Sequence, residues 1–177
     1  ETEMTTRREH DLLGERDVPA DAYWGIHTLR ALENFPITGK RIGSYPDLVR
    51  ALALVKLAAA RANVEQGNLD AARGRAIAEA CHEIADGALH GEFVVDMIQG
   101  GAGTSTNMNA NEVIANRALE HLGRRKGDYD HLHPINHVNM SQSTNDVYPT
   151  ALRVAAEFGL QHLLSAMAEL RSAFADK

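Results

Sequence analysis

The chain has 177 residues and a formal net charge of −6, because acidic residues outnumber basic ones by 24 to 18. Its longest basic cluster is residues 124–126, which argues against a nucleic-acid-binding protein. The apolar run at residues 51–60 is interrupted by Lys56 and is too short to span a bilayer, so no membrane partner is expected. The single cysteine, Cys81, lies in an apolar helical period and is predicted to be a core thiol in a reducing compartment, the cytoplasm.

The composition favours packed helices over a β-sandwich. Apolar residues make up 44% of the chain but aromatic residues only 5%, so alanine and leucine must fill the core. Residues 1–10 are expected to be a frayed tail, residues 12–18 a short strand, and residues 94–98 either helical or extended. Apolar residues at helical spacing predict helices at about residues 29–34, 46–63, 70–85 and 107–122. The predicted fold class is therefore mainly α with a short β segment.

A last helix is predicted from about residue 145 to the end of the chain, with apolar residues from Val147 to Phe174 at helical spacing. About 30 residues of helix extend over roughly 45 Å, more than a small domain can cover. This helix should therefore pack against an oligomeric partner or a further part of the protein. We divide the chain into an N-terminal helical domain, residues 1–144, and the start of a central helical-bundle domain, residues 145–177.

A polar motif directly precedes this last helix. Residues 138–146, VNMSQSTND, combine small hydroxyl and amide side chains. Unpaired backbone N–H groups and the positive end of the helix dipole gather at such a helix start, which is suited to hold a carboxylate or a phosphate. The alternative is that Ser143, Thr144 and Asn145 only cap the helix, as residues of these types commonly do.

A second motif, residues 100–109, repeats this arrangement with the sequence GGAGTSTNMN. Glycine lets backbone N–H groups approach an anion closely. No Lys-Ser or Lys-Thr pair follows the glycines and no β-branched strand precedes them, so the motif is not a nucleotide-binding P-loop. Two helix starts suited to anions fit a ligand with two carboxylates.

A histidine cluster is the main rival site. His131, His133 and His137 lie close together beside Asp130, and alternate histidines can bind zinc. Proline interrupts the run and no cysteine completes a ligand set, so we interpret these residues as loop residues and predict no metal ligand and no cofactor. His27 lies in an aromatic-rich segment and is expected to be a buried, hydrogen-bonded imidazole, with a substrate contact as the alternative.

The two polar motifs resemble signatures of the fumarase/aspartase superfamily. Residues 100–113, GGAGTSTNMNANEV, resemble one signature, and residues 139–146, NMSQSTND, resemble a second. Residues 17–25, DVPADAYWG, resemble the N-terminal segment of the superfamily. The resemblance runs through the chain in matching order.

Two details favour the aspartate ammonia-lyase (aspartase) family within this superfamily. Residues 25–35, GIHTLRALENF, resemble the aspartase segment, and fumarases usually have Gln where His27 stands. Fumarases also usually have Ser in place of Thr144. The resemblance implies a reversible removal of ammonia from L-aspartate that gives fumarate through a charged aci-carboxylate intermediate.

The resemblance also implies roles for individual residues. Thr104, Ser143 and Thr144 should donate hydrogen bonds to the carboxylate that gains charge, as an oxyanion-type stabiliser. Asn145 should face the amino group of the substrate. Asn107 and His27 are expected to contact these residues and hold them in place without binding the substrate themselves.

The third signature of the superfamily, Gly-Ser-Ser-x-Met-Pro-Gly-Lys-x-Asn, is absent, as is its Thr-His pair. That signature supplies the general base, so the resemblance covers only the N-terminal portion of the family and the chain alone is expected to be inactive. The resemblance further implies a homotetramer with sites shared between subunits. The alternatives are a fumarate hydratase or another lyase of the superfamily, and a non-enzymatic anion-binding helical module.

Overall fold

The computed structural model describes residues 5–176 and is mainly α-helical, which confirms the predicted fold class. Short 3-10 turns occur at Ile42–Ser44 and His90–Glu92, and a π-helical turn at Pro134–Val138. The remaining elements in chain order are β1 (Thr6–Asp11), β2 (Gly14–Pro19), α1 (Ile26–Asn34), α2 (Pro46–Glu65), α3 (Ala71–Ala85), α4 (Thr104–His121) and α5 (Thr144–Ala175). The domain boundary between residues 144 and 145 stays a prediction.

The first described segment is a β-hairpin. β1 and β2 pair antiparallel along their whole length, so the frayed tail expected at residues 5–10 is wrong, while residues 1–4 lie outside the described part. The strand expected at residues 12–18 is β2, which begins two residues later. The polar sequence of β1 shows no apolar alternation that would predict a strand. Its inward side chain is Glu9, which is only 4% exposed and pairs with Arg7.

Helix α2 packs against both α3 and α5 and forms the centre of the core. Helical spacing predicts Ile77, Cys81 and Ile84 as core positions of α3; all three are buried, and Cys81 is confirmed as a core thiol. Helical spacing predicts a buried face of α2 formed by Leu48, Leu52, Val55 and Ala59. The observed face is rotated from it, since it includes Lys56 and Asn63 whereas Val55 and Ala59 are only half-buried. The rotation follows from the second packing partner, α5, which the helical period of α2 alone does not reveal.

Residues 94–98 form neither a helix nor a strand. Asp96 makes an isolated β-bridge to Arg41, and its carboxylate holds the segment in place. This carboxylate accepts hydrogen bonds of 2.7–2.8 Å from the Thr38 hydroxyl and from the backbone N–H groups of Thr38, Gly39 and Ile98. Burial alone would raise the pKa of Asp96, but these hydrogen bonds outweigh it and lower the pKa to about 2. Asp96 thereby fixes the segment that leads into the glycine-rich loop.

Helix α4 begins earlier than predicted. Gly103 has a φ of 84°, a left-handed conformation that glycine adopts without strain, and the helix starts at Thr104 instead of near residue 107. Thr104 therefore belongs to the first helical turn. The helix buries an unusual set of polar side chains, namely Thr106, Asn107, Asn109, Asn111, Glu112 and Asn116. Buried polar groups need hydrogen-bond partners, so the position of α4 is set by the groups that bind them.

Helix α5 has 32 residues, and only its first half packs against the other described elements. Val147 and Ala151 are buried and Phe158 is half-buried, whereas every described residue after Phe158 is exposed. The large apolar side chains of this exposed half are 53–71% exposed and comprise Leu160, Leu163, Leu164, Met167, Leu170 and Phe174. Within residues 5–176, no helix is both long enough and apolar enough to cross a membrane.

Replacing Asp96 with Asn should destabilise the chain near neutral pH, and the effect should fade in acid. The folded-state pKa of about 2 lies below the ordinary value of 3.8. The stability contributed by the ionised carboxylate is therefore fully present above about pH 4 and is lost as the pH falls towards 2. Denaturant unfolding of both proteins across this range should show a shrinking difference in the free energy of unfolding.

The matched control for this prediction is Asp21→Asn, which removes a carboxylate from an exposed position. It should change the free energy of unfolding by less than Asp96→Asn at neutral pH. A difference between wild type and Asp96→Asn that stayed constant down to about pH 2 would contradict the stabilising role of the ionised carboxylate.

Candidate active site

The first turns of α4 and α5 lie side by side, so the two polar motifs are neighbours in the fold. The side-chain amide of Asn107 donates a hydrogen bond to the Thr144 hydroxyl oxygen, with 3.1 Å between Nδ2 and Oγ1. Gly103 lies against the ring of Tyr148, where a Cβ atom would come within 2.5 Å of ring carbons. This close approach requires glycine at the end of the glycine-rich loop. The fold thus brings together two helix starts that are far apart in sequence.

The hydroxyl groups of Ser143 and Thr144 both act as acceptors in this structure. Ser143 is the N-cap of α5, and its Oγ atom accepts the backbone N–H of Asn145 at 3.2 Å. The Thr144 hydroxyl accepts from Asn107 and stands at the first helical position, so the capping role falls to Ser143 alone. Within residues 5–176 neither hydroxyl donates to another group, which leaves each O–H available for a bound anion.

Thr104 and His27 line a shared cavity of about 310 Å³. Thr104 is exposed at the start of α4, and Asn145 is exposed in the first turn of α5. His27 is half-buried, and its imidazole makes no hydrogen bond within residues 5–176, so the prediction of a buried, hydrogen-bonded ring is wrong. The backbone N–H of His27 is bonded instead, to Glu112.

The residues behind Thr144 form a buried cluster of amides around a lysine. Oδ1 of Asn139 accepts hydrogen bonds from Lys56 at 2.8 Å, Asn107 at 3.0 Å and Asn111 at 3.3 Å. Asn107 is only 2% exposed and also bonds Thr144, so it stands behind a residue with a predicted substrate contact. Sequence reasoning missed Lys56, because lysine is almost never fully buried without partners; the available signal was its position inside the apolar run at residues 51–60.

Two buried carboxylates bind the start of α1. Glu112 of α4 accepts three backbone N–H groups at the beginning of α1, at 2.8–3.1 Å, and Glu9 of β1 accepts a fourth at 2.8 Å. Burial raises the pKa of Glu112, as does the nearby Glu9 carboxylate, while the N–H donors and the helix dipole favour the ionised form. These bonds dock the segment that carries His27 onto the helix that carries Thr104.

The histidine cluster is engaged in local hydrogen bonds. His131 pairs with Asp128 at 3.0 Å. The Nδ1 atoms of His133 and His137 accept backbone N–H groups within the π-helical turn Pro134–Val138 and its N-cap. Among the residues that the structure describes, no group of three or more His, Cys, Asp or Glu side chains is placed to hold a metal ion.

A family model described as lyase matches residues 14–177. The match includes β2, all five α-helices and both polar motifs. The chain belongs to the lyase family. The family predicted from the motifs is therefore confirmed.

Relatives of this lyase-family chain include aspartate ammonia-lyases of several bacteria. Those of Pseudomonas canavaninivorans, Bacillus subtilis and Escherichia coli K12 are 60%, 56% and 51% identical to it over 97% of the chain. In each case the chain spans 36% of the length of the relative.

Two solved structures share the fold of this lyase-family chain. A fumarate lyase:delta crystallin from Brucella melitensis in native form has a TM-score of 0.94 and 59% identity, over 96% of this chain and 38% of that one. A class II fumarase from Schistosoma mansoni has a TM-score of 0.79 and 36% identity, over 85% of this chain and 32% of that one. Both structures therefore share the fold of this chain, and its sequence identity is higher to the Brucella melitensis protein than to the Schistosoma mansoni fumarase.

Replacing Gly25 with Ala should strongly destabilise the chain. A Cβ atom there would lie 2.6 Å from Glu9 Oε2, 2.7 Å from the Tyr129 hydroxyl and 3.0 Å from Glu112 Cδ. These groups are packed around the buried start of α1, so they have little room to move. Overpacking of this kind should cost about 3 kcal/mol, and thermal melting should show a midpoint roughly 6–12 °C lower.

Gly91→Ala is the matched control for this prediction, because no atom lies within 4 Å of the Cβ position at Gly91. Its melting temperature should stay close to that of the wild type. Equal melting temperatures for the two variants would show that the start of α1 is not tightly packed.

Proposed function

We propose that this chain is the N-terminal part of a lyase that reversibly converts L-aspartate into fumarate and ammonia. The observation that carries the proposal is the pair of available hydroxyl donors, Ser143 and Thr144, at a helix start that lies beside the start of α4. Backbone N–H groups, the helix dipole and hydroxyl donors all favour a carboxylate. The identity of 51–60% to aspartate ammonia-lyases supports aspartate as the substrate.

In the proposed reaction, a base removes the proton from the carbon next to one substrate carboxylate. Charge then builds on that carboxylate as an aci-carboxylate, and the amino group leaves from the neighbouring carbon as ammonia. Donors that are already in place accelerate the reaction if they bind this charge more strongly than the ground state. We assign Thr104, Ser143 and Thr144 as these donors and place Asn145 near the amino group.

The base itself is not among these residues. In the superfamily that the motifs resemble, a later signature supplies it, and a homotetramer completes each site. The exposed apolar half of α5, whose last large apolar side chain is Phe174, is suited to such an assembly, because burying its side chains against other helices is favourable. We therefore infer that residues 1–144 form an N-terminal domain and that residues 145–177 begin a helical bundle shared between subunits.

Fumarate hydratase activity is the second candidate, favoured by the fold match to the Schistosoma mansoni class II fumarase. Its identity of 36% is lower than that to the aspartate ammonia-lyases. Thr144 also stands where fumarases usually carry Ser. These two observations favour aspartate over malate as the substrate of the complete protein.

The chain alone should be inactive, whereas the complete protein that contains it should release fumarate and ammonia from L-aspartate. The absence of a positioned base commonly costs about 10²–10⁴-fold in rate. Fumarate absorbance should be followed with L-aspartate and with L-malate as substrates, using heat-inactivated protein as the control. Faster turnover of L-malate would assign a fumarate hydratase. Fumarate binding by the complete protein without any turnover would indicate an anion-binding module.

Thr144→Val in the complete protein should lower kcat about 10²–10³-fold and change KM much less. Valine keeps the shape of the side chain but removes the hydroxyl donor. The matched control is Thr150→Val, at an exposed position of the same helix, which should keep a normal kcat. A lower melting temperature with an unchanged kcat for Thr144→Val would contradict the assignment of Thr144 as a donor to the charged intermediate.

A further inference from the structure

Lys56 is a fully buried lysine at the centre of the molecule. Its side chain is 0% exposed on α2, and its Nζ atom donates to Oδ1 of Asn139 at 2.8 Å and to Oε1 of Gln142 at 2.9 Å. Both acceptors are neutral amides, and burial lowers the pKa of Lys56 to about 7. A buried ammonium keeps its charge only while it is hydrogen-bonded, so these two amides are held firmly against it.

The two acceptors lie on the loop that precedes α5, and α2 binds this loop at a second point. Asn63 is two helical turns after Lys56 on the same face of α2, and its side-chain amide donates to the Met140 carbonyl at 2.9 Å. The amide of Gln142 in turn donates to the carbonyls of Val138 and Met140. The loop is thus folded around the lysine instead of extending into solvent.

The loop contains a backbone conformation that is uncommon for its residue type. Ser141 has a φ of 60°, in the left-handed region that residues other than glycine rarely occupy. Such a conformation persists only where surrounding contacts determine it, and it is common at functional sites. The contacts that determine it lie two residues before Ser141 and one residue after it, because Asn139 and Gln142 are both bound by Lys56.

A short path of hydrogen bonds joins Lys56 to the hydroxyl of Thr144. The same Oδ1 atom of Asn139 that accepts from Lys56 also accepts from Nδ2 of Asn107 at 3.0 Å. That Nδ2 atom then donates to Oγ1 of Thr144 at 3.1 Å. Both N–H bonds of the Asn107 amide are therefore committed, and the Thr144 oxygen accepts from a fixed direction.

We propose that Lys56 is a positioning residue, which acts by fixing the loop and amides that orient the Thr144 hydroxyl. The proposal rests on the lyase function proposed above. Lys56 itself touches no substrate, since it is buried behind Asn139. Its loss should misplace a donor for the charged intermediate, and a displacement of about 1 Å in a catalytic group can cost on the order of 10²-fold in rate.

The experiment compares Lys56→Met with wild type in the complete protein. Methionine keeps most of the apolar stem but removes the ammonium. We expect kcat for L-aspartate to fall about 10²-fold with a change in KM of less than about threefold. Ile77→Val is the stability control, because it removes a methylene from a fully buried core position on α3. If Lys56→Met and Ile77→Val have the same kcat below their melting temperatures, Lys56 is only structural and the proposal is overturned.

A double-mutant cycle tests whether Lys56 acts through Thr144. In a Thr144→Val background, Lys56→Met should cost less than about tenfold in kcat, because the donor that it orients is already gone. Losses that multiply fully in the double variant would overturn the proposal. Gln142→Met releases the same loop from a half-buried position and should lower kcat in the same direction if Lys56→Met fails to fold. A normal kcat in that variant would also overturn it.

Hydrogen exchange gives a readout that does not depend on the substrate. The backbone amides of residues 138–143 should exchange faster in Lys56→Met and at the wild-type rate in Ile77→Val. If the wild-type protein does not turn over aspartate but Lys56→Met still shows this faster exchange, the proposed function is refuted. The role of Lys56 in holding the loop then still stands. If exchange in Lys56→Met is unchanged, Lys56 does not hold the loop, and the proposal is refuted for any substrate.

Discussion

The carboxylate of Glu112 makes the interaction on which the geometry of the site depends. It is fully buried in α4 and accepts three backbone N–H groups at the start of α1. A buried carboxylate is tolerated only when such donors replace water, so the two helices cannot separate or slide without exposing or orphaning a charge. The bonds are directional as well as strong, and they fix both the distance and the rotation of α1. His27 and Thr104 share a cavity for this reason.

The same helix fixes the other side of the site through its amides. Asn107 and Asn111 are four residues apart, on one face of α4, and both donate to Asn139 in the loop before α5. Asn107 also reaches Thr144. Helix α4 therefore positions the start of α1 and the start of α5 relative to its own glycine-rich start, although these three segments are distant in sequence. Apolar packing alone would permit small shifts between them, whereas hydrogen bonds specify one arrangement.

The molecule has one part whose apolar side chains are buried and one part whose apolar side chains are exposed. The apolar faces of α2, α3 and α4 are buried within the described chain. The second half of α5 has no such cover, and its leucines remain exposed. The chain spans 36% of the length of the aspartate ammonia-lyases that it resembles. This packed part can hold the proposed substrate-binding groups in place, while the exposed half of α5 provides the surface on which the proposed bundle would be built.

The sequence by itself determined the helical class, the bounds of α2 and α3 to within two residues, and both polar motifs, because helical periodicity and helix starts are local signals. Only the tertiary structure decided that β1 is a strand, since its polar residues show no alternation and its partner β2 must be present. It also decided the inward direction of Lys56, which depends on the loop and helix packed against α2. The hydrogen bonds of Glu112 could not be predicted from the sequence either. Its partner Gly25 is 87 residues away, and this contact forms only when the helices pack.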